Sequence, residues 1–153
     1  MNVLKKIILF LARAALSSIF ILSGIEKIIH WSAAEESVIH QLCEWSSYAL
    51  QYNQLQGVIE ASITWTPILL VIHIMLEVVG GVLVLLGMKV RLGAFFLILA
   101  LVPSTLLFHD FWMLDGEQAQ MQMIMFLKNI SILGGLLILL VMGSPSSKHE
   151  SLH

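Results

Sequence analysis

Charge is scarce in this sequence. Lys and Arg number 8 and Asp and Glu 10, so 12% of 153 residues are charged while 58% are hydrophobic. Mean hydropathy is +0.91. Soluble domains average about 25% charged and about 45–50% apolar residues. The deficit excludes that class and points to a membrane protein of one domain. The net charge is −2 and no basic patch occurs, which removes nucleic acid from the partners. Cysteine is nearly absent: Cys43 stands alone, so an intramolecular disulfide and CxxC dithiol chemistry are both excluded. Cys43 reads as a small, partly buried hydrophobe. No second His or Cys stands at ligand spacing from His73, which argues against a metal. A bis-histidine haem is also disfavoured, because His109 falls about 10 Å higher than His73.

Long apolar runs are what the chain has instead. A span needs about 20 mostly apolar residues, and Ile7–Ile29, Thr66–Leu86, Leu92–Phe108 and Met121–Met142 qualify. Lys5 and Lys6 could open a leader peptide, but the run behind them is long and no A-x-A-like site follows. Retention of the first span as a helix is therefore expected. Pro103 should kink the third span, where neighbours must satisfy the freed carbonyl.

Positive charge is missing from alternate connections. Segments 30–65 and 109–120 contain Glu35, Glu36, Glu44, Glu60, Asp110, Asp115 and Glu117 but no Lys or Arg. Lys5, Lys6, Lys89, Arg91 and Lys148 all fall on the other side. The positive-inside rule then predicts that both termini are cytoplasmic. The first external segment places Val38, Leu42, Trp45, Tyr48 and Leu55 at near-helical spacing. Trp31, Trp45, Trp65 and Trp112 lie at or outside the outer boundary. This predicts an amphipathic helix on the outer surface, lidding the bundle. The short "GMKVRLG" makes spans two and three a tight antiparallel hairpin. The expected architecture is all-α: a four-helix transmembrane bundle over 1–143, with that external helix between spans one and two and a disordered cytoplasmic tail over 144–153.

A charge near the bilayer centre costs roughly 2.5–3.5 kcal/mol on insertion scales, so polar residues in the spans should face inward and pair. At 100° per residue, Arg13, Ser17, Phe20, Gly24 and Lys27 share one stripe of span one. His73, Glu77 and Gly80 share one in span two. Thr105 and His109 do so in span three, and Lys128, Ser131 and Gly135 in span four. Depths at ~1.5 Å per residue put His73 and Lys128 about 10 Å in from the outer side and Glu77 about 16 Å in, with Arg13 only ~5 Å below it. An Arg13–Glu77 ion pair is the resulting expectation. These charges either fix helix assembly or line a polar, outward-opening cavity. Gly24, Gly80, Gly81, Gly134 and Gly135 are candidates for close helix packing. "GGVLVLLGM" (80–88) echoes "GGLLILLVMG" (134–143). The echo fits either duplicated hairpins or two glycine-lined contacts.

The blocks "RAALSSIFILSGIEKI" (13–28), "EVVGGVLVLLGMKVRLGA" (77–94), "TLLFHDFW" (105–112) and "FLKNISILGGLL" (126–137) together resemble the DoxX family of small four-helix membrane proteins. Segment 31–65 carries none of the resemblance. The resemblance marks Arg13, Gly24, Lys27, Glu77, Gly81, Gly87, Arg91, His109, Lys128 and Asn129 as characteristic positions. The intramembrane polar cluster to be tested is thus Arg13, Lys27, His73, Glu77, His109, Lys128 and Asn129. DoxD-type relatives are subunits of thiosulfate:quinone oxidoreductases, so the resemblance implies a redox setting by analogy alone.

No cofactor motif or cysteine pair is present, so the chain is not expected to be an enzyme on its own. Two functions remain open. One is docking or organising a protein partner at the outer face, with a second copy of the chain as one such partner. The other is a membrane subunit of a quinone-linked oxidoreductase, with quinone as its cofactor and Glu77 and His73 relaying protons. A small-solute transporter is a weaker third reading. The orientation has a direct check. Reporter fusions at the C-terminus should report cytoplasm and fusions within 31–65 the opposite side; a C-terminal fusion reporting the outer side contradicts the four-span reading.

Overall fold

A computed structural model of the chain describes residues 2–49 and 53–143. Within them the chain forms α1 (Val3–Ile29), α2 (Trp31–Ala49), α3 (Asn53–Thr64), α4 (Thr66–Leu86), α5 (Val90–Phe108) and α6 (Gly116–Met142), with a single 3-10 turn at Phe111–Met113. Four helices are long and apolar enough to cross a membrane, namely α1, α4, α5 extended through the 3-10 turn, and α6. The fold is an all-α transmembrane bundle. The external segment is two helices rather than one, and the predicted tail at 144–153 lies outside the described residues. One side of the bundle carries α2 and α3 and is called the capped side; the other, where α1 begins and α6 ends, is the terminal side.

Local chemistry sets the helix ends. Pro67 falls in the first turn of α4, where a missing N–H breaks no helical bond. Gly87 ends the same helix at φ 71° with its N–H on Leu83 O and Val84 O, and the Met88 N–H also reaches Leu83 O. This left-handed cap favours glycine and turns the chain directly into α5. Pro103 sits inside α5, which continues through it. Ser104 Oγ donates to Ala100 O and Leu101 O nearby.

The spans pack as an arc, α1 on α4, α4 on α5 and α5 on α6. Lipid provides no hydrophobic force between helices, so close backbone approach matters. A Cβ on Gly80 would stand 3.0 Å from Gly93 O, and one on Gly93 would stand 2.9 Å from Gly80 O. Gly24 meets Val78 and Glu77, and Gly81 meets Ile21 and Ser17. Gly135 makes ordinary contact with Leu16, whereas Gly134 has nothing within 4 Å. Gly134 is therefore not a packing glycine; it lies on the exposed face of α6. Phe20, Val84, Ala94, Leu97, Leu101 and Leu136 form the shared core.

The glycine geometry makes opposite predictions on one motif type. Gly80→Ala and Gly81→Ala overpack tight contacts and should each destabilise the detergent-solubilised protein by about 1–3 kcal/mol. Gly134→Ala should be neutral or stabilising by up to ~1 kcal/mol through helix propensity. Thermal unfolding of the three variants checks the order, and a loss at Gly134 equal to that at Gly80 contradicts this packing.

Candidate functional site

Glu77 is buried midway along α4, 6% exposed. Its position follows from the α1–α4 register that Gly24 and Gly81 set. Gly24 lies against Glu77 and Val78, so Lys27, one turn further along α1, arrives at the carboxylate. Lys27 Nζ lies 2.8 Å from Oε2 and 3.0 Å from Oε1 of Glu77. Ser23 Oγ donates to Oε1 at 3.2 Å and accepts from Lys27 Nζ at 2.5 Å. His73 Nε2, one turn away on α4, approaches Oε1 at 3.2 Å. An ion pair of this burial, with Lys27 on both carboxylate oxygens and Ser23 and His73 added at Oε1, meets the condition for holding charge in a low-dielectric interior.

Arg13 is not the partner of Glu77. In the observed register its guanidinium lies against Gly87, at the terminal-side end of α4. The helix count explains the difference. From Gly24 back to Arg13 is eleven residues, and from Glu77 to Gly87 is ten, so both legs run about 15–16 Å in the same direction. The depth estimate set Ile7 level with the terminal-side end of span two, whereas Arg13 is the residue level with that end, at Gly87. The six residues between them placed Arg13 about 9 Å too far from the terminal side.

The remaining expected members divide into two sets. Asn129 Nδ2 donates to Thr105 Oγ1 at 2.9 Å, and His109 Nδ1 lies 2.8 Å from Gln122 Oε1; both tie α5 to α6 on the capped half. Lys128, by contrast, is exposed, with only Met125 Sδ at 4.0 Å. Asn129, about 100° further round α6, takes the inward position instead. Residue spacing defines a stripe on each helix but not which stripe turns inward. The seven residues therefore do not form one cluster: Lys27, His73 and Glu77 meet, His109 and Asn129 stand on the opposite wall, and Arg13 and Lys128 lie elsewhere.

A cavity of about 880 Å³ separates those two walls. Lys27, His73 and Glu77 line one side, and His109 and Asn129 the other, among mainly apolar neighbours. Ala34, Val38 and Leu42 of α2 line it from the capped side. α2 is fixed there by Gln41 Nε2 donating to Asp110 Oδ2 at 3.0 Å and Trp45 Nε1 donating to Leu107 O at 3.2 Å. Leu107 O is one of the carbonyls left open at the end of α5, so Trp45 both caps that helix and holds the roof. Trp45 also meets Trp112 edge-on, at 6.2 Å between ring centroids. Tyr48 OH donates to Met113 O at 3.0 Å. Sequence reasoning missed Ser23, Gln41 and Asp110 as site residues. Ser23 beside Gly24 in an otherwise apolar run was a signal for the first; only the fold brings the other two together.

Chemically, the site offers a cation, an imidazole and a carboxylate at the polar end of an otherwise apolar chamber. It can hold a small head group by hydrogen bonds and pass protons between His73 and Glu77. The model of the DoxX family matches residues 8–110, which runs from within α1 through α5 and leaves α6 beyond it. The chain is also 25% identical over 139 residues to the inner membrane protein YphA of Escherichia coli (strain K12), an alignment covering 91% of this chain and 85% of that protein. No solved structure matches the chain significantly.

Proposed function

The chain belongs to the DoxX family of integral membrane proteins, and from that premise we propose that it is the membrane-embedded subunit of a quinone-linked oxidoreductase, binding the quinone head at Lys27, His73 and Glu77. The observation that carries this reading is the cavity itself. Its volume of about 880 Å³ falls in the usual range for small-molecule sites, about 300–1,000 Å³, and its few convergent polar groups in apolar walls follow the same pattern. A quinone head has carbonyl acceptors and, when reduced, hydroxyl donors. Lys27 supplies a donor, and His73 with Glu77 supplies a short route for protons. When bound, the quinone supplies the two-electron chemistry; the chain's own residues hold it and handle protons. The redox partner is a separate protein.

The relative's description as an inner membrane protein supports an inner-membrane location, and in this reading both termini are cytoplasmic, as the charge asymmetry of the connections favours. The capped side then faces outward. Docking of a protein partner there is the second reading, supported by Tyr48, Leu55 and Val58, each more than half exposed on α2 and α3.

Purification in mild detergent from quinone-containing membranes separates the two readings. Stoichiometric quinone should be extracted from the wild-type protein. His73→Leu, which leaves the Lys27–Glu77 pair in place, should weaken quinone binding by ~10-fold, the worth of one charge-assisted hydrogen bond. No quinone, with a protein partner retained instead, supports docking and overturns the quinone reading.

A further inference from the structure

The arc of spans is not closed all the way up. Its two ends, α1 and α6, meet toward the terminal side, where Leu16 lies against Gly135 and Phe20 and Leu136 share the core. Toward the capped side the same helices become opposite walls of the cavity. Ile19 and Ser23 line it from α1, Asn129 and Ile132 from α6. Ile19 does so while 51% exposed, so the chamber reaches the lipid-facing surface there. Lys128 does not line the cavity, but it lies seven residues from Gly135 on the same flank of α6, within about 20°, and is exposed. The direct route from water, in contrast, is covered by α2, held by Gln41–Asp110 and Trp45–Leu107.

We propose that the cavity opens sideways, between α1 and α6, into the leaflet on the capped side, and that its ligand is a membrane-dissolved amphiphile whose apolar tail leaves between Ile19 and Ile132. The identity of the head group rests on the quinone reading; the opening does not. A gap walled by isoleucines within the apolar thickness suits an acyl or isoprenoid chain and excludes a charged, water-borne solute. Lys128 fits the same picture. On a closed lipid-facing surface a lysine within the apolar thickness is costly. At the mouth of a chamber that admits polar heads it can snorkel toward them while its stem stays in apolar surroundings.

The test reads the opening whether or not a ligand is known. A bimane label is placed at Ile132→Cys in a Cys43→Ser background, and the protein is reconstituted in phosphatidylcholine vesicles. Phospholipids brominated on their acyl chains should quench it to an extent comparable with a label at the lipid-facing Leu127→Cys. Aqueous iodide should quench it several-fold less than a label at the roof position Ser37→Cys. Ile19→Cys on the facing wall gives the same readout where Ile132→Cys fails to fold. Strong iodide quenching with little effect of brominated lipid, or no quenching by either, overturns the lateral opening. Lipid quenching in a protein that binds no quinone keeps the opening and removes the quinone reading. Quinone binding with quenching by iodide alone keeps the quinone reading and removes the lateral route.

Discussion

A carboxylate set deep between apolar helices dominates the architecture of this protein. Glu77 is nearly inaccessible, and both its oxygens are engaged by Lys27, with Ser23 and His73 around them. Two charges withdrawn from water cost several kcal/mol each, and their attraction compensates only when the geometry is good and the remaining polar atoms are bonded. That requirement fixes the α1–α4 register within a fraction of a helical turn. Gly24 and Gly81 make the register attainable, since a side chain at either would collide with Val78 or Ile21. The ion pair and the glycines act on the same interface, one specifying where the helices meet and the other letting them approach.

Once α1 is registered on α4, the rest of the site follows. α5 is held to α4 by the Gly80–Gly93 contact and to α6 by Thr105–Asn129 and His109–Gln122. The terminal half is filled by the shared apolar core. The capped half leaves a chamber with charged groups on one wall and neutral hydrogen-bonding groups on the other. Trp45 and Gln41 then bind α2 across it, using a helix-end carbonyl and the buried Asp110 as anchor points. A binding chamber in the membrane thus arises from one constrained interface and one open seam.

Much of this was legible in the residues. The four spans, the tight hairpin between spans two and three and the roofing role of the external segment came from hydropathy, the shortness of the connection and tryptophan placement. Glu77 and His73 stood out because nothing apolar about their helix explains them. What could not be read was tertiary. Lys27 and Arg13 lie on one stripe of α1, and only the packed register decides which of them reaches Glu77. Lys128 and Asn129 are adjacent in sequence but about 100° apart around α6, and hydropathy does not say which turns inward. The Gln41–Asp110 bond joins positions 69 residues apart, beyond the reach of any local pattern. The external segment divides into two helices, and the residues between α2 and α3 lie outside the described set.

The dependence of the fold on the Lys27–Glu77 interaction is best measured by a double-mutant cycle on unfolding in detergent. Lys27→Ala should cost about 3–5 kcal/mol, because it leaves the buried Glu77 charge uncompensated, and Glu77→Ala should cost less, because the Lys27 side chain is a quarter exposed. The double variant should recover a large part of that sum, giving a coupling well above the ~0.6 kcal/mol average of polar contacts between membrane helices. Arg13→Ala combined with Glu77→Ala should be additive within about 0.5 kcal/mol, as for sites without shared partners. Additivity between Lys27 and Glu77, or strong coupling of Glu77 to Arg13 instead, contradicts the register on which the site is built.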